Sequence, residues 1–205
     1  TDTDADADAC QPGEGTVVNA STLSAQITGR PTFDGNGSPL LDPDFAGWDV
    51  AICDLDSDGY DDLMVSAPYS GEAHGRVSVY YGPGQAWSNY MDTSANFADA
   101  YIFADGLIGI LGTQIGCGDV NGDGADDLVL GHGEGVVAGF AVDAGIRIFY
   151  GDGTRLSGQV NSSSADVVLS HDTGFNDSTS AHFPPFWVAD VDSDGTEEVL
   201  FFMNN

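Results

Sequence analysis

Three stretches of the sequence place oxygen-bearing side chains at alternate positions of a nine-residue segment. They are named loop 1 (54–62), loop 2 (119–127) and loop 3 (190–198). Positions 1, 3, 5 and 9 of the loops are Asp54, Asp56, Asp58, Asp62, Asp119, Asn121, Asp123, Asp127, Asp190, Asp192, Asp194 and Glu198. Because all are oxygen donors and no His or Cys stands among them, the pattern favours a hard cation. Calcium accepts about six to eight oxygens in an irregular shell, so the sequence predicts three Ca²⁺ sites.

Positions 6 and 7 of the loops complete the predicted sites. Position 6 is Gly59, Gly124 and Gly195, which indicates a turn that needs positive φ or a close approach of the backbone to the ion. The main-chain carbonyl of position 7 is predicted as a further ligand. Since a carbonyl ligand makes no demand on the side chain, that position should vary, and it is Tyr60, Ala125 and Thr196.

Helical calcium loops begin with the same acidic pattern but close the metal shell with an acid at position 12. Position 12 is apolar in all three loops: Val65, Leu130 and Phe201. The shell is therefore predicted to close at position 9, and helical calcium-binding loops are nearly excluded.

The flanks of the loops predict the fold. Each loop lies between short β-branched and aromatic runs, such as WDVAIC and LMVSAP around loop 1. Further along the chain, RVSVYYG (76–82) is similar in sequence to IRIFYG (146–151). Such runs are typical of strands. A repeat of four strands at this spacing predicts an all-β chain of four-stranded, β-propeller-type blades, about two complete and part of a third, with calcium-binding hairpin loops. A β-sandwich is the alternative architecture.

The domain organisation predicted from these repeats has five parts. They are an acidic low-complexity tether (1–15), a lead-in segment with an outer strand at Ser24 to Gly29 (16–44), blade 1 (45–110), blade 2 (111–182) and a partial blade 3 (183–205).

Composition limits the partners of the chain. Only 4 basic residues face 33 acidic ones, a formal net charge of −29, so nucleic acids and anionic membrane surfaces should repel it. No run reaches the roughly 18 apolar residues of a bilayer span, which predicts no membrane insertion. The four histidines share no motif and are expected in solvated loops, and no catalytic signature is present, so no enzymatic activity is predicted.

The three cysteines are Cys10, Cys53 and Cys117, an odd number that leaves at least one outside any internal pair. Cys53 and Cys117 precede loops 1 and 2, where a small buried apolar side chain is the favoured interpretation. The sequence does not determine how the cysteines pair.

The order Phe45-Ala-Gly47, acidic loop, Ser66-Ala-Pro68 and RVSVYYG resembles the FG-GAP repeat of integrin α-subunit β-propellers and their bacterial relatives. In that family loop positions 1, 3, 5, 7 and 9 bind calcium in the first hairpin of a blade. The resemblance implies an extracellular or cell-surface, calcium-stabilised module for adhesion or for recognition of an unknown protein or glycan ligand.

Two other functions remain open from the sequence. A structural subunit could assemble through open blade edges, by self-association at the edge after Met203, into a filament or larger oligomer. A scaffold for a polysaccharide-active enzyme is the less favoured alternative.

Overall fold

The structure is a computed structural model that describes residues 27–28, 32–33, 39–40, 45–70, 74–82, 91–92, 98–105, 110–133, 135–137, 140–142, 144–171 and 185–201. The acidic tether, Cys10, His182 and Met203 lie outside these ranges. Within them, no helix has the length and apolar character needed to cross a lipid bilayer.

The described elements are strands and one 3-10 turn. In chain order the strands are β1 Ile27–Thr28, β2 Thr32–Phe33, β3 Pro39–Leu40, β4 Val50–Cys53, β5 Asp62–Ala67, β6 Arg76–Tyr80, β7 Met91–Asp92, β8 Ala100–Phe103, β9 Leu111–Gly118, β10 Asp127–His132, β11 Gly135–Val137, β12 Phe140–Val142, β13 Ala144–Phe149, β14 Gly158–Asn161, β15 Val167–His171, β16 Phe186–Ala189 and β17 Glu198–Phe201. The 3-10 turn is Ser162–Ser164.

Blade 1 is an antiparallel sheet in the order β4-β5-β6-β8. The order follows the chain, as consecutive short strands joined by turns predict. A fifth strand, β14, pairs in parallel with β8 although it belongs to the chain segment of blade 2. The sequence predicted only a long loop there, so β14 is an addition that the repeat pattern did not reveal.

Blade 2 repeats the arrangement as β9-β10-β13-β15. The β11–β12 hairpin is inserted between its second and third strands, where the sequence predicted a simple turn. The described part of blade 3 is the β16–β17 pair. The prediction of an all-β chain with four-stranded, propeller-type blades is confirmed, whereas the exact domain boundaries stay predictions.

The lead-in segment contains β1, which pairs in parallel with β7, and the β2–β3 hairpin. The predicted outer strand at 24–29 thus corresponds in part to β1, a strand of 2 residues.

Blade 2 lies between the other two and shares a core with each. Successive residues of β10 point to opposite faces of the sheet, as in any strand. Leu128 and Leu130 pack in a cluster with Met64 of blade 1, while Val129 packs with Phe186 of blade 3. All three β10 side chains are fully buried, which stabilises the fold by about 1.5 to 3 kcal/mol for each. The double burial explains why the run LVL is continuously apolar.

A disulfide bond joins Cys53 to Cys117, with their Cα atoms 6.4 Å apart. These residues end β4 and lie near the end of β9, the innermost strands of blades 1 and 2. The interpretation of the two cysteines as small buried residues holds for Cys53, which is 8% exposed, while Cys117 is partly buried, and the bond between them is one that the sequence left open. Cys53 immediately precedes loop 1 and Cys117 stands one residue further from loop 2, and the ends of these two stacked inner strands lie close enough to permit the bond.

The disulfide is expected to stabilise the pair of blades. Since it closes a loop with a sequence separation of 64, replacing both cysteines by alanine should lower the free energy of unfolding by about 2 to 4 kcal/mol. Chemical denaturation measures the difference. Reductant should cause a similar loss in the wild-type chain and no further loss in the double variant. Equal stability of the two proteins under oxidising conditions would contradict this role.

Candidate metal centre

Each acidic loop connects the two innermost strands of a blade. Loop 1 joins β4 to β5, loop 2 joins β9 to β10, and loop 3 joins β16 to β17. The residue before the loop pairs with loop position 9 in every case: Cys53 with Asp62, Gly118 with Asp127, and Ala189 with Glu198. The ladder therefore closes each loop at the same point, and three equivalent turns result.

The carboxylate at position 1 organises the turn. In loop 1, Asp54 accepts hydrogen bonds from the amides of Asp58 (3.0 Å) and Gly59 (2.8 Å). Asp119 accepts from the same positions of loop 2 at 3.0 and 2.7 Å, and Asp190 does so in loop 3 at 3.2 and 3.0 Å. Local bonds of this kind compete with regular structure and favour turns.

Positions 3 and 5 continue the pattern. The side chain of position 3 accepts from the amide of position 5, and the carboxylate of position 5 accepts from the amide of position 7. The three loops thus share one hydrogen-bond scheme, although position 3 is Asn121 in loop 2.

The glycine at position 6 is required by its backbone conformation. Its φ is 87° at Gly59, 89° at Gly124 and 93° at Gly195, as the sequence predicted. A Cβ atom at these positions would meet nothing within 4 Å, so backbone conformation and not crowding selects glycine. The sequence did not reveal that position 4 also has positive φ, with 58° at Ser57 and 64° at Ser193.

Carboxylates converge in two of the loops. One oxygen each of Asp54, Asp56 and Asp58 lie within 4.8 Å of one another, and the same holds for Asp190, Asp192 and Asp194. Position 3 of loop 2 is an amide, whose oxygen can also bind a hard cation but carries no charge. Such spacing fits a single cation held by positions 1, 3 and 5.

Position 9 has a different set of contacts. Asp62 is fully buried and accepts from the amides of Leu55 (2.9 Å) and Gly82 (2.9 Å). In loop 2, Asp127 does the same with Val120 (3.0 Å) and Gly151 (2.8 Å). Glu198 accepts from Val191 at 3.0 Å. Asp62 and Asp127 therefore connect the loop to the end of the third strand of the blade.

The sequence did not predict that position 9 accepts hydrogen bonds from Gly82 and Gly151. The glycine that ends both RVSVYYG and IRIFYG was the available signal. The carboxylates of position 9 lie outside the clusters formed by positions 1, 3 and 5. Their role as metal ligands, like that of the position 7 carbonyls of Tyr60, Ala125 and Thr196, remains a prediction.

Burial changes the acidity of the position 9 carboxyls. Burial raises the pKa of Asp62 to about 6, and the nearby negative charges of Asp56 and Asp58 act in the same direction. The hydrogen bonds from Gly82 and Leu55 oppose this rise. Burial likewise raises the pKa of Asp127. A cation beside either group would favour its charged form.

Neighbouring loops touch one another through position 8. The carboxylate of Asp126 accepts a hydrogen bond from the amide of Asp54 at 3.1 Å, which links loop 2 to loop 1. The amide of Glu197 donates to the carbonyl of Asp119 at 3.0 Å, which links loop 3 to loop 2. The loops therefore form a row across the stacked blades. Sequence reasoning assigned no role to position 8.

Loop 1 also meets a basic side chain. Arg155, from the segment between β13 and β14, forms ion pairs with Asp56 and with Asp58, the latter at 2.6 Å. It also donates to the carbonyl of Gly82 at 3.0 Å. Arg155 is one of only 4 basic residues in the chain, and this scarcity was the signal in the sequence that could have singled it out as a partner of the acidic loops.

The three described histidines lie outside the carboxylate clusters of this centre. His132 is the last residue of β10 and is buried, so the expectation of solvated loop histidines was wrong there. His171 ends β15, and His74 lies in the turn before β6.

Stacked four-stranded blades with acidic inner hairpins define a β-propeller-type repeat. Residues 46–87, which contain loop 1, match the FG-GAP repeat family. This segment of the chain is therefore similar to a repeat of the FG-GAP type.

Integrin alpha subunits are among the relatives of the chain. It is 35% identical to human integrin alpha-6 over 119 residues, which cover 56% of the chain and 10% of that protein. It is 30% identical to integrin alpha pat-2 of Caenorhabditis elegans over 104 residues, and 27% identical to chicken integrin alpha-V over 114 residues. These matches cover 51% and 56% of the chain and 8% and 10% of the relatives. The chain spans about a tenth of their length.

The contacts of Asp62 predict that it stabilises blade 1 even without a cation. Asp62→Ala leaves two buried amides without an acceptor and should lower the free energy of unfolding in chelator by about 2 kcal/mol. Asp61→Ala is the matched control, because this neighbouring carboxylate is exposed and should change stability by less than about 0.5 kcal/mol. Equal losses in urea titrations of both variants would contradict the assignment.

Proposed function

We propose that the chain is an extracellular, calcium-stabilised β-propeller module for adhesion or recognition, with a protein or glycan as its ligand. The proposal is supported by the FG-GAP match and by the integrin alpha relatives. The observation that carries it is the turn shared by the three loops, which in loops 1 and 3 brings carboxylate oxygens of positions 1, 3 and 5 within 4.8 Å of one another.

Calcium has a structural role in this proposal. Two unit charges 4 Å apart repel by about 1 kcal/mol in water and about 4 kcal/mol near a protein surface. Loops 1 and 3 each hold three carboxylates at such distances. A divalent ion would offset this repulsion and hold each inner hairpin in place. Because the loops touch one another in a row, the ions would also stabilise the stacking of the blades.

The proposed recognition function is not catalytic. The acidic groups that converge are held in turns by backbone amides, and the proposal needs no open metal position. The net charge of −29 supports a ligand other than nucleic acid.

Self-association is the second candidate function, and exposed apolar residues favour it. Val50 and Ile52 of β4 are 53% and 63% exposed, and Leu200 and Phe201 of β17 are 38% and 43% exposed. Apolar sheet faces of this kind accept a further sheet, and in this proposal a second copy of the chain supplies it. The predicted edge after Met203 lies outside the described residues.

Calcium should raise the thermal stability of the chain. With dissociation constants on the order of 10⁻⁴ to 10⁻³ M, as in extracellular modules, 5 mM calcium should add about 1 to 2 kcal/mol per site. The Tm should then rise by about 10 °C over that in excess chelator, and magnesium should have a smaller effect. Calorimetry measures both shifts. A Tm unaffected by calcium would contradict the proposal.

Two substitutions in loop 3 separate side-chain from main-chain ligands. Asp194→Ala removes a proposed carboxylate ligand and should abolish calcium binding at this loop. Thr196→Ala keeps the position 7 carbonyl and should leave the affinity within about twofold. Isothermal titration calorimetry should therefore show one site fewer for the first variant only. Loss of a site in both variants would show that position 7 acts through its side chain.

Self-association has its own test. Analytical ultracentrifugation of the chain with and without calcium should show concentration-dependent oligomers if the apolar faces pair. Ile52→Lys should then shift the distribution toward monomer. A monomer at all concentrations would exclude this second function.

A further inference from the structure

Loop 1 differs from loops 2 and 3 because a cation of the chain itself lies against it. The guanidinium of Arg155 donates from Nε to Asp56 and from a terminal nitrogen to Asp58. These residues are positions 3 and 5, two of the three that supply the converging oxygens of this loop. Within the described residues, neither loop 2 nor loop 3 forms an ion pair with a basic side chain.

The consequence is visible in the hydrogen bonds of the carboxylate oxygens. In loop 1 both oxygens of Asp54, Asp56 and Asp58 accept a hydrogen bond from a nitrogen. In loop 3, Oδ1 of Asp192 and Oδ1 of Asp194 accept from backbone amides. Their Oδ2 atoms accept no hydrogen bond from any described residue. Loop 3 therefore keeps two carboxylate oxygens that need not break a bond to bind a cation.

Loops 1 and 3 form an internal comparison. Both have a carboxylate at positions 1, 3, 5 and 9, so their formal ligand charge is the same. Arg155 adds one positive charge to loop 1 alone. A divalent cation and a guanidinium that bind the same carboxylates repel each other and compete for the same carboxylate oxygens.

Several contacts fix Arg155 in this position. Its guanidinium lies 4.9 Å from the centre of the Tyr81 ring, a favourable cation–π distance. The amide of Leu156 donates to the Tyr81 hydroxyl at 2.7 Å, and the chain then enters β14, which pairs with β8 of blade 1. The backbone is thus held beside loop 1. The side chain is nevertheless 45% exposed, so it can move into solvent without unfolding this segment.

We propose that Arg155 is a built-in counter-cation of loop 1, which competes with the divalent ion and makes loop 1 a weaker cation site than loop 3. The inference rests on the proposed calcium binding of the loops. In the metal-free chain Arg155 holds the carboxylates of Asp56 and Asp58 together. When calcium enters, the guanidinium leaves these oxygens and the Arg155 side chain moves into solvent.

Site-resolved calcium titration tests the proposal. The amides of Gly59, Gly124 and Gly195 each donate to the position 1 carboxylate of their own loop and report on it separately. In ¹H–¹⁵N spectra of the 205-residue chain, the Gly59 signal should shift at a higher calcium concentration than the Gly195 signal. In Arg155→Gln, the midpoint for Gly59 should fall by about three- to tenfold, with those of Gly124 and Gly195 unchanged.

Two further variants control for charge and geometry. Gln159→Glu makes the same change in net charge at an exposed site on β14 and should move the Gly59 midpoint by less than about twofold. Arg155→Lys keeps the charge but loses the two-pronged contact, so its midpoint should fall between those of the wild type and Arg155→Gln.

The outcomes are distinct. An unchanged or higher Gly59 midpoint in Arg155→Gln would overturn the proposal, and a higher one would mean that Arg155 preorganises the carboxylates for the ion. If the Gly59 midpoint falls equally in Gln159→Glu, the effect comes from net charge alone, and this result would also overturn the proposal. If no glycine signal responds to calcium in any variant, the proposed calcium binding itself fails, and the counter-cation role fails with it.

Discussion

The repulsion among carboxylates that backbone amides hold together is the constraint on which the rest of the structure depends. The position 1 side chain binds the amides of positions 5 and 6, and this fold of the turn brings positions 1, 3 and 5 within 4.8 Å in loops 1 and 3. The turn that forms the hairpin is thus the turn that concentrates the charge. A bound cation would relieve this conflict, and the ion pairs of Arg155 do so in part for loop 1.

The stacking of the blades places these loops side by side. Blade 2 buries both faces of β10, with Leu128 toward blade 1 and Val129 toward blade 3. The disulfide between Cys53 and Cys117 and the contact of Asp126 with the amide of Asp54 hold the inner ends of blades 1 and 2 together. Position 9 adds the third strand of each of these blades through Gly82 and Gly151. A conformational change at one loop should therefore alter the structure of the neighbouring loop.

The sequence predicted what depends on local pattern. The hairpins, the positive φ of Gly59, Gly124 and Gly195 and the four-stranded blades follow from a repeated motif and apolar flanks. What it missed depends on contacts between distant residues. The Cys53–Cys117 bond could not be assigned from an odd number of cysteines, and β14 reaches a blade other than its own. Arg155 lies 99 residues from Asp56, a separation that no local pattern encodes.

The most direct test of the account is anomalous X-ray diffraction from crystals of the chain grown with calcium. We expect one anomalous peak in each loop, from an ion bound by the side chains of positions 1, 3 and 5 and by the carbonyl of position 7. The guanidinium of Arg155 should be displaced from Asp56 wherever the peak in loop 1 is fully occupied. Loops with the same turns and no anomalous peak at saturating calcium would contradict the proposal that these acids converge to bind a cation.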